Sequence, residues 1–258
     1  MIPLERPGVD LWLTFYAEIT SEQLLAHYSS LLTEQELRQQ QRFYFANDRL
    51  RYLVTRALVR TVLSRYVPIL PRDWMFAVNS YGRPHIANQQ AAQADVRFNI
   101  SHTRSLIAMA VTRARDVGVD VENTQARAVS MEIADRFFAR AEVDALSKLP
   151  RQQQQERFFE YWTLKESYIK ARGLGLSVPL DKCSFHYPCE RRVQIVIHDE
   201  LADDAARWQF WQLRPAPEYS LAVCAQRVET SASRLLVRKV VPADSEQIIT
   251  PAVLRTSG

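Results

Sequence analysis

Two carboxylates stand two residues apart in the short segment Gly118-Val119-Asp120-Val121-Glu122. In a strand, successive side chains point to opposite faces, so Asp120 and Glu122 share one face and the two valines share the other. Their α-carbons would then lie roughly 6.5–7 Å apart, which lets both carboxylates bind one hard cation such as Mg²⁺. Paired acids also occur on solvated edge strands, and this segment alone leaves that alternative open.

A second candidate is the segment from Trp162 to Lys170, which reads WTLKESYIK. On a helix, Glu166 and Lys170 lie four residues apart on the same face. Such pairs are common on helix surfaces, but this helix carries more aromatic and apolar residues than a freely solvated helix does. A third carboxylate and a lysine beside a bound cation would form a set suited to phosphate chemistry.

Ser101 and His102 follow Phe98-Asn99-Ile100, at the end of a predicted strand. A hydroxyl, an imidazole and exposed backbone N–H groups at the end of a strand can meet a phosphate. The adjacent Ser and His do not indicate a hydrolase, because neighbouring strand residues point to opposite faces and the chain has no G-x-S-x-G segment.

The elements that must position these residues alternate between strands and helices in two similar successions. Strands are predicted at 11–16, 75–78, 96–100, 105–112 and 117–122, and again at 183–186, 193–197, 208–213 and 220–225. Helices are predicted at 33–43, 48–66, 130–138, 141–148 and 153–171, with Thr33, Asp48 and Ser130 as N-caps and Gly173 as the C-cap glycine. The pattern indicates an α+β fold with a duplicated architecture.

The composition excludes several classes of protein. Only six of the 258 residues are glycine, and none of them forms the G-x-G-x-x-G or G-x-x-x-x-G-K-[ST] phosphate loops. The longest purely apolar stretch, Leu106 to Val111, is too short to span a bilayer. The three cysteines and five histidines show no metal-ligand spacing, and no secretory signal is visible. We therefore expect a cytoplasmic protein with no membrane partner.

Taken together and in this order, the segments resemble the 4′-phosphopantetheinyl transferases of the Sfp type, over about residues 31–225. The combination of the Gly118–Glu122 and Trp162–Lys170 blocks at this separation is specific for that family. Further matching segments are Arg42-Phe43-Tyr44, Tyr81-Gly82-Arg83-Pro84, Phe98-Asn99-Ile100-Ser101-His102, Arg136-Phe137-Phe138 and Gly173-Leu174-Gly175-Leu176.

The resemblance implies transfer of the 4′-phosphopantetheine arm of coenzyme A to a serine of an acyl or peptidyl carrier protein, with release of adenosine 3′,5′-bisphosphate. Such carriers serve fatty acid, polyketide and nonribosomal peptide synthesis. The implied fold has two similar α+β halves related by a pseudo-twofold axis, with the active site in the cleft between them. Residues 1–116 would form the coenzyme A half and residues 117–228 the half with the metal acids and the carrier side. An extension over 229–258 is expected to be partly ordered.

The resemblance also assigns roles to residues. Asp120, Glu122 and Glu166 would hold Mg²⁺, with Mn²⁺ as an alternative. Glu166, directly or through a metal-bound water, would be the base for the serine hydroxyl. Lys170 would stabilise or protonate the leaving phosphate, and His102 would hydrogen-bond the phosphates. The expected coenzyme A contacts are Arg51, Gly82, Arg83, Pro84, Ser101, His102, Lys165 and Lys170.

One departure from the family concerns the affinity for coenzyme A rather than the type of reaction. Glu36 and Gln39 stand where some relatives carry lysines that bind the 3′-phosphate.

The carrier-binding surface is predicted near residues 124–138, beside the metal acids. Apolar Val129, Met131 and Ile133 with basic Arg127 and Arg136 would receive an acidic, partly apolar helix.

Two alternatives are a catalytically silent member of the family and a basic nucleic-acid-binding module. All three acids and Lys170 are present, which disfavours the first. The net charge is only +4, no basic run exceeds two residues and no recognition motif occurs, so we expect a monomer without a nucleic-acid partner.

Overall fold

The computed structural model describes residue 2, residues 7–228 and residues 233–258. The first part of the chain forms these elements: β1 (Val9–Thr14), α1 (Glu22–Leu31), α2 (Glu34–Gln41), α3 (Ala46–Leu63), β2 (Phe76–Val78), β3 (Pro84–Ile86), β4 (Val96–Thr103) and β5 (Leu106–Arg113). The second part forms β6 (Val117–Asn123), α4 (Met131–Phe137), α5 (Arg140–Ser147), α6 (Arg151–Arg172), β7 (Cys183–Cys189), β8 (Arg192–Ile197), β9 (Trp208–Arg214) and β10 (Tyr219–Gln226). Three further strands follow: β11 (Leu235–Val241), β12 (Ser245–Ile249) and β13 (Ala252–Thr256).

Two mixed sheets organise these elements. Sheet 1 has the strand order β12-β11-β1-β5-β4, sheet 2 has the order β6-β10-β9-β13-β8-β7, and β2 pairs with β3 in a hairpin. Apolar side chains from both sheets form a shared core between them, while a separate core joins α3 to sheet 1 and another joins α6 to sheet 2. The α+β class predicted from the sequence is confirmed, and the pseudo-twofold relation between the halves stays a prediction. Within the described residues, no helix combines the length and apolarity needed to cross a bilayer.

Several local signals had the predicted effect. Thr33 and Glu36 form a reciprocal capping box at the start of α2. Gly173 ends α6 in the left-handed region, with a φ of 68°. Ser130 stands at the N-cap of α4 but makes no side-chain capping bond there.

Other local predictions need correction. Helix α3 begins at Ala46 with Phe45 at its N-cap, and Asp48 lies inside the first turn, where its carboxylate pairs with Arg51 at 2.9 Å. An acid in the first turn is stabilised by the helix dipole without being the cap. The strand predicted at 11–16 lies two residues earlier, at Val9–Thr14 (β1). It is buried along its whole length, because β5 and β11 flank it and apolar cores cover both faces.

Helix α1 was not predicted, although Ser21 caps it by accepting a hydrogen bond from the backbone N–H of Leu24. Strand β4 also extends beyond the predicted end at Ile100. It stays paired with β5 as far as Thr103 and Leu106, so Ser101 and His102 are strand residues.

Side chains of β4 join the two sheets. From Asn99 to the end of β4, every second residue accepts a hydrogen bond from a backbone N–H of β6: Asn99 Oδ1 from Val119 at 2.9 Å, Ser101 Oγ from Val121 at 3.3 Å and Thr103 Oγ1 from Asn123 at 3.0 Å. We refer to Asn99, Ser101 and Thr103 as the side-chain ladder. Because its three rungs have the same sequence offset, the ladder fixes the register of β4 against β6.

Candidate active site

Asp120 lies at the centre of the candidate site. It is buried on β6, and its Oδ1 accepts hydrogen bonds from Ser101 Oγ at 2.8 Å and from Lys170 Nζ at 2.6 Å. Lys170 Nζ also donates to Ser101 Oγ at 3.0 Å. The second oxygen, Oδ2, is buried and has no hydrogen-bond partner within the described part of the chain. The alternative of a solvated strand face is therefore wrong for Asp120.

Gly118 explains how Lys170 reaches this carboxylate. Helix α6 crosses β6 so closely that a Cβ on Gly118 would overlap the backbone of Ser167 and Ala171. Any larger residue would push α6 away from the strand. The glycine thus positions Lys170 over the neighbouring Asp120, and Lys170 pairs with Asp120 instead of forming a surface pair with Glu166.

Glu122 and Glu166 complete the acidic set. Glu122 is partly buried, with Thr103 Oγ1 donating to its Oε2 at 3.5 Å and Arg127 4.0 Å from its Oε1. Burial and the charge of Asp120 raise the pKa of Glu122 to about 7. Burial and Asp120 also raise the pKa of Glu166, against the opposing charge of Lys170. Both acids are therefore close enough to Asp120 for its negative charge to raise their pKa values.

The donor set has the chemistry that a hard divalent cation prefers. It offers three carboxylates, two of them with raised pKa values, and one oxygen, Asp120 Oδ2, that lacks a partner. In the described ranges, however, no three Asp, Glu, His or Cys side chains converge as a ready-made metal cluster. In this structure Lys170 supplies the positive charge next to Asp120.

His102 lies where the first turns of α3 approach the acids. Its side chain is accessible, yet partial loss of hydration and then the positive charges of Arg51 and Lys170 lower its pKa to about 4. The imidazole is therefore neutral at pH 7, with one nitrogen as a donor and the other as an acceptor. The structure thus brings His102, Arg51, Lys170 and Asp120 into one electrostatic environment.

Arg83 ties the turn between β2 and β3 to the second half. Its guanidinium donates from Nη1 to the carbonyl of Ala171 and from Nη2 to that of Val117, both at 3.1 Å. Gly82 supplies the positive φ of 83° that the turn needs. Arg83 and Pro84 line a cavity of about 590 Å³ between β3 and β4, whose other charged walls include Arg97 and Asp116.

Lys165 lies outside the site, and its predicted contact with coenzyme A is corrected. The side chain is fully buried, pairs with Glu142 at 2.7 Å, and donates to the carbonyls of Leu180 and Cys183. Consecutive helix residues point in different directions, so Glu166 and Lys165 cannot both face the cleft.

Sequence reasoning missed the partner, Glu142. Its position three residues after Ala139, at the start of α5, was the available signal, because the carboxylate accepts from the Ala139 backbone N–H at 2.9 Å.

The departure at Glu36 also has a structural explanation. Its carboxylate turns toward α3, where it pairs with buried Arg60 at 2.7 Å while accepting from the backbone of Thr33 at 2.9 Å. Glu36 therefore stabilises the contact between α2 and α3.

On the predicted carrier surface, Ile133 is exposed and Arg127 stands beside Glu122. Met131 and Val129 lie partly buried against the core beneath α6.

Comparisons with known proteins agree with one another. The family described as "4′-phosphopantetheinyl transferase superfamily" matches residues 116–224, and the family "4′-phosphopantetheinyl transferase, N-terminal" matches residues 19–114. The 4′-phosphopantetheinyl transferase Sfp of Bacillus subtilis (strain 168) is 33% identical over 198 residues, which cover 77% of this chain and 84% of Sfp. The 4′-phosphopantetheinyl transferase HetI of Nostoc sp. is 35% identical over 176 residues, 68% of each chain.

Among solved structures, the holo-[acyl-carrier-protein] synthase of Thermotoga maritima is similar with a TM-score of 0.36 at 17% identity, covering 54% of this chain and 84% of that chain. The extent and identity of the sequence matches define the family: this chain belongs to the 4′-phosphopantetheinyl transferase superfamily. It is an enzyme of the phosphopantetheinyl transferase class.

Proposed function

We propose that this enzyme moves the 4′-phosphopantetheine arm of coenzyme A onto a serine of an acyl or peptidyl carrier protein, requires Mg²⁺ and releases adenosine 3′,5′-bisphosphate. The observation that carries the proposal is the contact of Lys170 and Ser101 with buried Asp120, with Glu122 and Glu166 close enough to respond to its charge. Membership of the family supports coenzyme A as the donor and a carrier protein as the acceptor.

In this proposal Asp120, Glu122 and Glu166 hold the divalent cation, Mg²⁺ or Mn²⁺. A bound ion would neutralise charge on the pyrophosphate of coenzyme A and so favour release of the adenosine bisphosphate as the leaving group. Two observations support this assignment. Asp120 Oδ2 has no hydrogen-bond partner among the described residues, so it is available to bind a cation. The pKa values of Glu122 and Glu166 are raised, and a bound cation would lower them.

The chain's own residues perform the transfer. The serine oxygen forms a bond to the phosphorus next to pantetheine, and the bond from that phosphorus to the oxygen of the leaving bisphosphate breaks. Glu166 accepts the serine proton as the general base, because a serine hydroxyl is a poor nucleophile at neutral pH. Lys170 stabilises the charge that develops on the leaving phosphate, and neutral His102 hydrogen-bonds the phosphates.

Coenzyme A binding is assigned to the first half of the chain, residues 1–116, with Arg51, Gly82, Arg83, Pro84 and His102 as contacts. Residues 117–228 supply the acids and the carrier surface near residues 124–138. The accessible Ile133 and Arg127, the latter next to Glu122, support that placement, since the carrier serine must approach the acids. We further propose that the enzyme acts in the cytoplasm as a monomer.

The test is direct mass measurement of the acceptor. The protein is incubated with coenzyme A, Mg²⁺ and apo-carriers from fatty acid, polyketide and peptide synthesis, and each carrier is weighed for one added arm. Omission of the metal and the Asp120→Ala variant should both abolish the addition. Unchanged carrier masses across all three types at saturating coenzyme A would contradict the proposal.

A further inference from the structure

Ser101 and Thr103 repeat one arrangement two residues apart on β4. The hydroxyl of Ser101 accepts the N–H of Val121 at 3.3 Å and donates to Asp120 Oδ1 at 2.8 Å. The hydroxyl of Thr103 likewise accepts the N–H of Asn123 at 3.0 Å, and it donates to Glu122 Oε2 at 3.5 Å. Each hydroxyl thus links a backbone N–H of β6 with the carboxylate one residue earlier on the same strand.

Hydrogen-bond capacity decides what these hydroxyls can do. A serine hydroxyl has one proton to donate and two lone pairs to accept with. Ser101 uses all three, because Val121 N–H and Lys170 Nζ donate to its oxygen while its proton goes to Asp120. Its side chain therefore has no capacity left for a phosphate of coenzyme A, which was the contact expected from the resemblance.

Asn99, the third residue of the side-chain ladder, shows that the two hydroxyls do more than join the sheets. Asn99 Oδ1 accepts a hydrogen bond from the backbone N–H of Val119 at 2.9 Å, so it forms the same link between β4 and β6 without a hydroxyl. The β6 residue beside that rung is Gly118, which has no carboxylate. Within the side-chain ladder, the hydroxyl residues Ser101 and Thr103 stand at the two positions where β6 carries an acid. The amide residue Asn99 stands at the position where β6 carries none.

We propose that Ser101 and Thr103 of β4 are positioning residues. They orient the carboxylates of Asp120 and Glu122 on the adjacent strand β6. The inference rests on the proposed function, since it concerns the same acids. A backbone N–H fixes each hydroxyl oxygen, so the hydroxyl proton points at one carboxylate oxygen. At Asp120 this leaves Oδ2, which has no hydrogen-bond partner among the described residues, for a cation. Partners that orient metal ligands in this way commonly affect metal affinity by about 10- to 100-fold.

The test compares Thr103→Val with Thr103→Ser in the full chain. Mn²⁺ binding is followed by electron paramagnetic resonance with coenzyme A present and no carrier, and thermal melting reports folding. Thr103→Val should bind Mn²⁺ about tenfold more weakly, whereas Thr103→Ser should stay within twofold of wild type. Thr112→Val is the matched control, because its buried hydroxyl bonds the carbonyl of Arg115 at the other end of the β4–β5 pair and hydrogen-bonds no acid.

Ser101→Ala is the independent second variant, with the same loss of Mn²⁺ affinity expected. In steady state, both variants should lower kcat while leaving the KM for coenzyme A within twofold. Wild-type Mn²⁺ affinity in a folded Thr103→Val or Ser101→Ala protein would overturn the inference, as would a raised KM for coenzyme A alone. Failure of both variants to fold would also overturn it, because the hydroxyls would then support only the fold. If wild-type protein neither binds Mn²⁺ nor transfers the arm, the proposed function itself fails.

Discussion

Lys170 shows what a single side chain can contribute here, because it contacts both Asp120 and Ser101. If it meets charge as the bond to the leaving bisphosphate breaks, its effect belongs to the transition state. Lys170→Ala should then lower kcat at least tenfold with little change in the Kd for coenzyme A. Lys170→Arg should restore only part of the rate, since a planar fork replaces a compact ammonium. Single-turnover rates at saturating coenzyme A provide the measurement.

If Lys170 only formed an ion pair with Glu166 on an exposed helix surface, its removal would affect the rate much less. Such pairs contribute only about 0.3–0.5 kcal/mol to the stability of the fold, so their loss would leave turnover within about twofold of wild type. A Lys170→Ala rate in that range would show that the residue has no role in the transfer step.

Glu122 makes metal binding sensitive to pH. Burial and Asp120 raise its pKa to about 7, so below pH 7 a proton occupies the carboxylate that a cation needs. The apparent affinity for Mn²⁺ should therefore rise by up to about tenfold per pH unit below pH 7 and level off above it.

Titration calorimetry at pH 6, 7 and 8 measures this dependence. Glu122→Gln is the control, since its amide does not titrate and its weaker binding should lose this part of the pH dependence. Equal wild-type affinity at pH 6 and pH 8 would be incompatible with a raised pKa at this ligand.

At the scale of elements, the contact between β6 and α6 sets the geometry of the site. Gly118→Ala would place a methyl group against the backbone of Ser167 and Ala171, neither of which can move without shifting α6. We expect a loss of about 3 kcal/mol or more in the free energy of unfolding, at the upper end of overpacking effects. Urea denaturation of the purified variant measures it.

Gly82→Ala is the matched glycine control. A Cβ at Gly82 meets nothing within 4 Å, so the cost there comes from its φ of +83° alone, about 1–2 kcal/mol. A smaller loss for Gly118→Ala than for Gly82→Ala would show that α6 can move away from β6.

The sequence predicts the elements around the site better than it predicts side-chain directions. Alternation in the Gly118–Glu122 segment correctly places both acids on the face opposite the valines, because strand periodicity is a local property. The direction of Lys165 depends on where α5 and β7 lie, and no local pattern carries that information. The side-chain ladder was equally invisible, since Ser101 and Thr103 acquire their partners only when β6 lies alongside β4.

At the scale of the whole molecule, the chain after residue 233 contributes to both sheets. Strands β11 and β12 extend sheet 1 next to β1, and β13 lies between β9 and β8 in sheet 2. This arrangement was not predicted, because β12 and β13 lack a clear apolar alternation and owe their conformation to neighbouring strands.

Removing residues 250–258 tests the contribution of β13. The truncated protein loses the strand between β9 and β8, so we expect a melting temperature several degrees lower and faster amide exchange in β7 and β8. Sheet 1 should keep its protection, because β11 and β12 remain. Ile248→Ser, on an exposed part of β12, is the surface control and should melt like wild type. An unchanged melting temperature on truncation would show that β13 adds no stability.

The parallel pairing of β1 with β11 has a consequence for biosynthesis. A ribosome makes proteins from the N-terminus, so Val9 emerges early and its partner Leu235 only after almost all the other strands. Until then, one edge of the most buried strand of sheet 1 stays open to pairing with another nascent chain. Because long-range parallel pairing forms slowly, the newly made enzyme should depend on chaperones while that edge is uncovered.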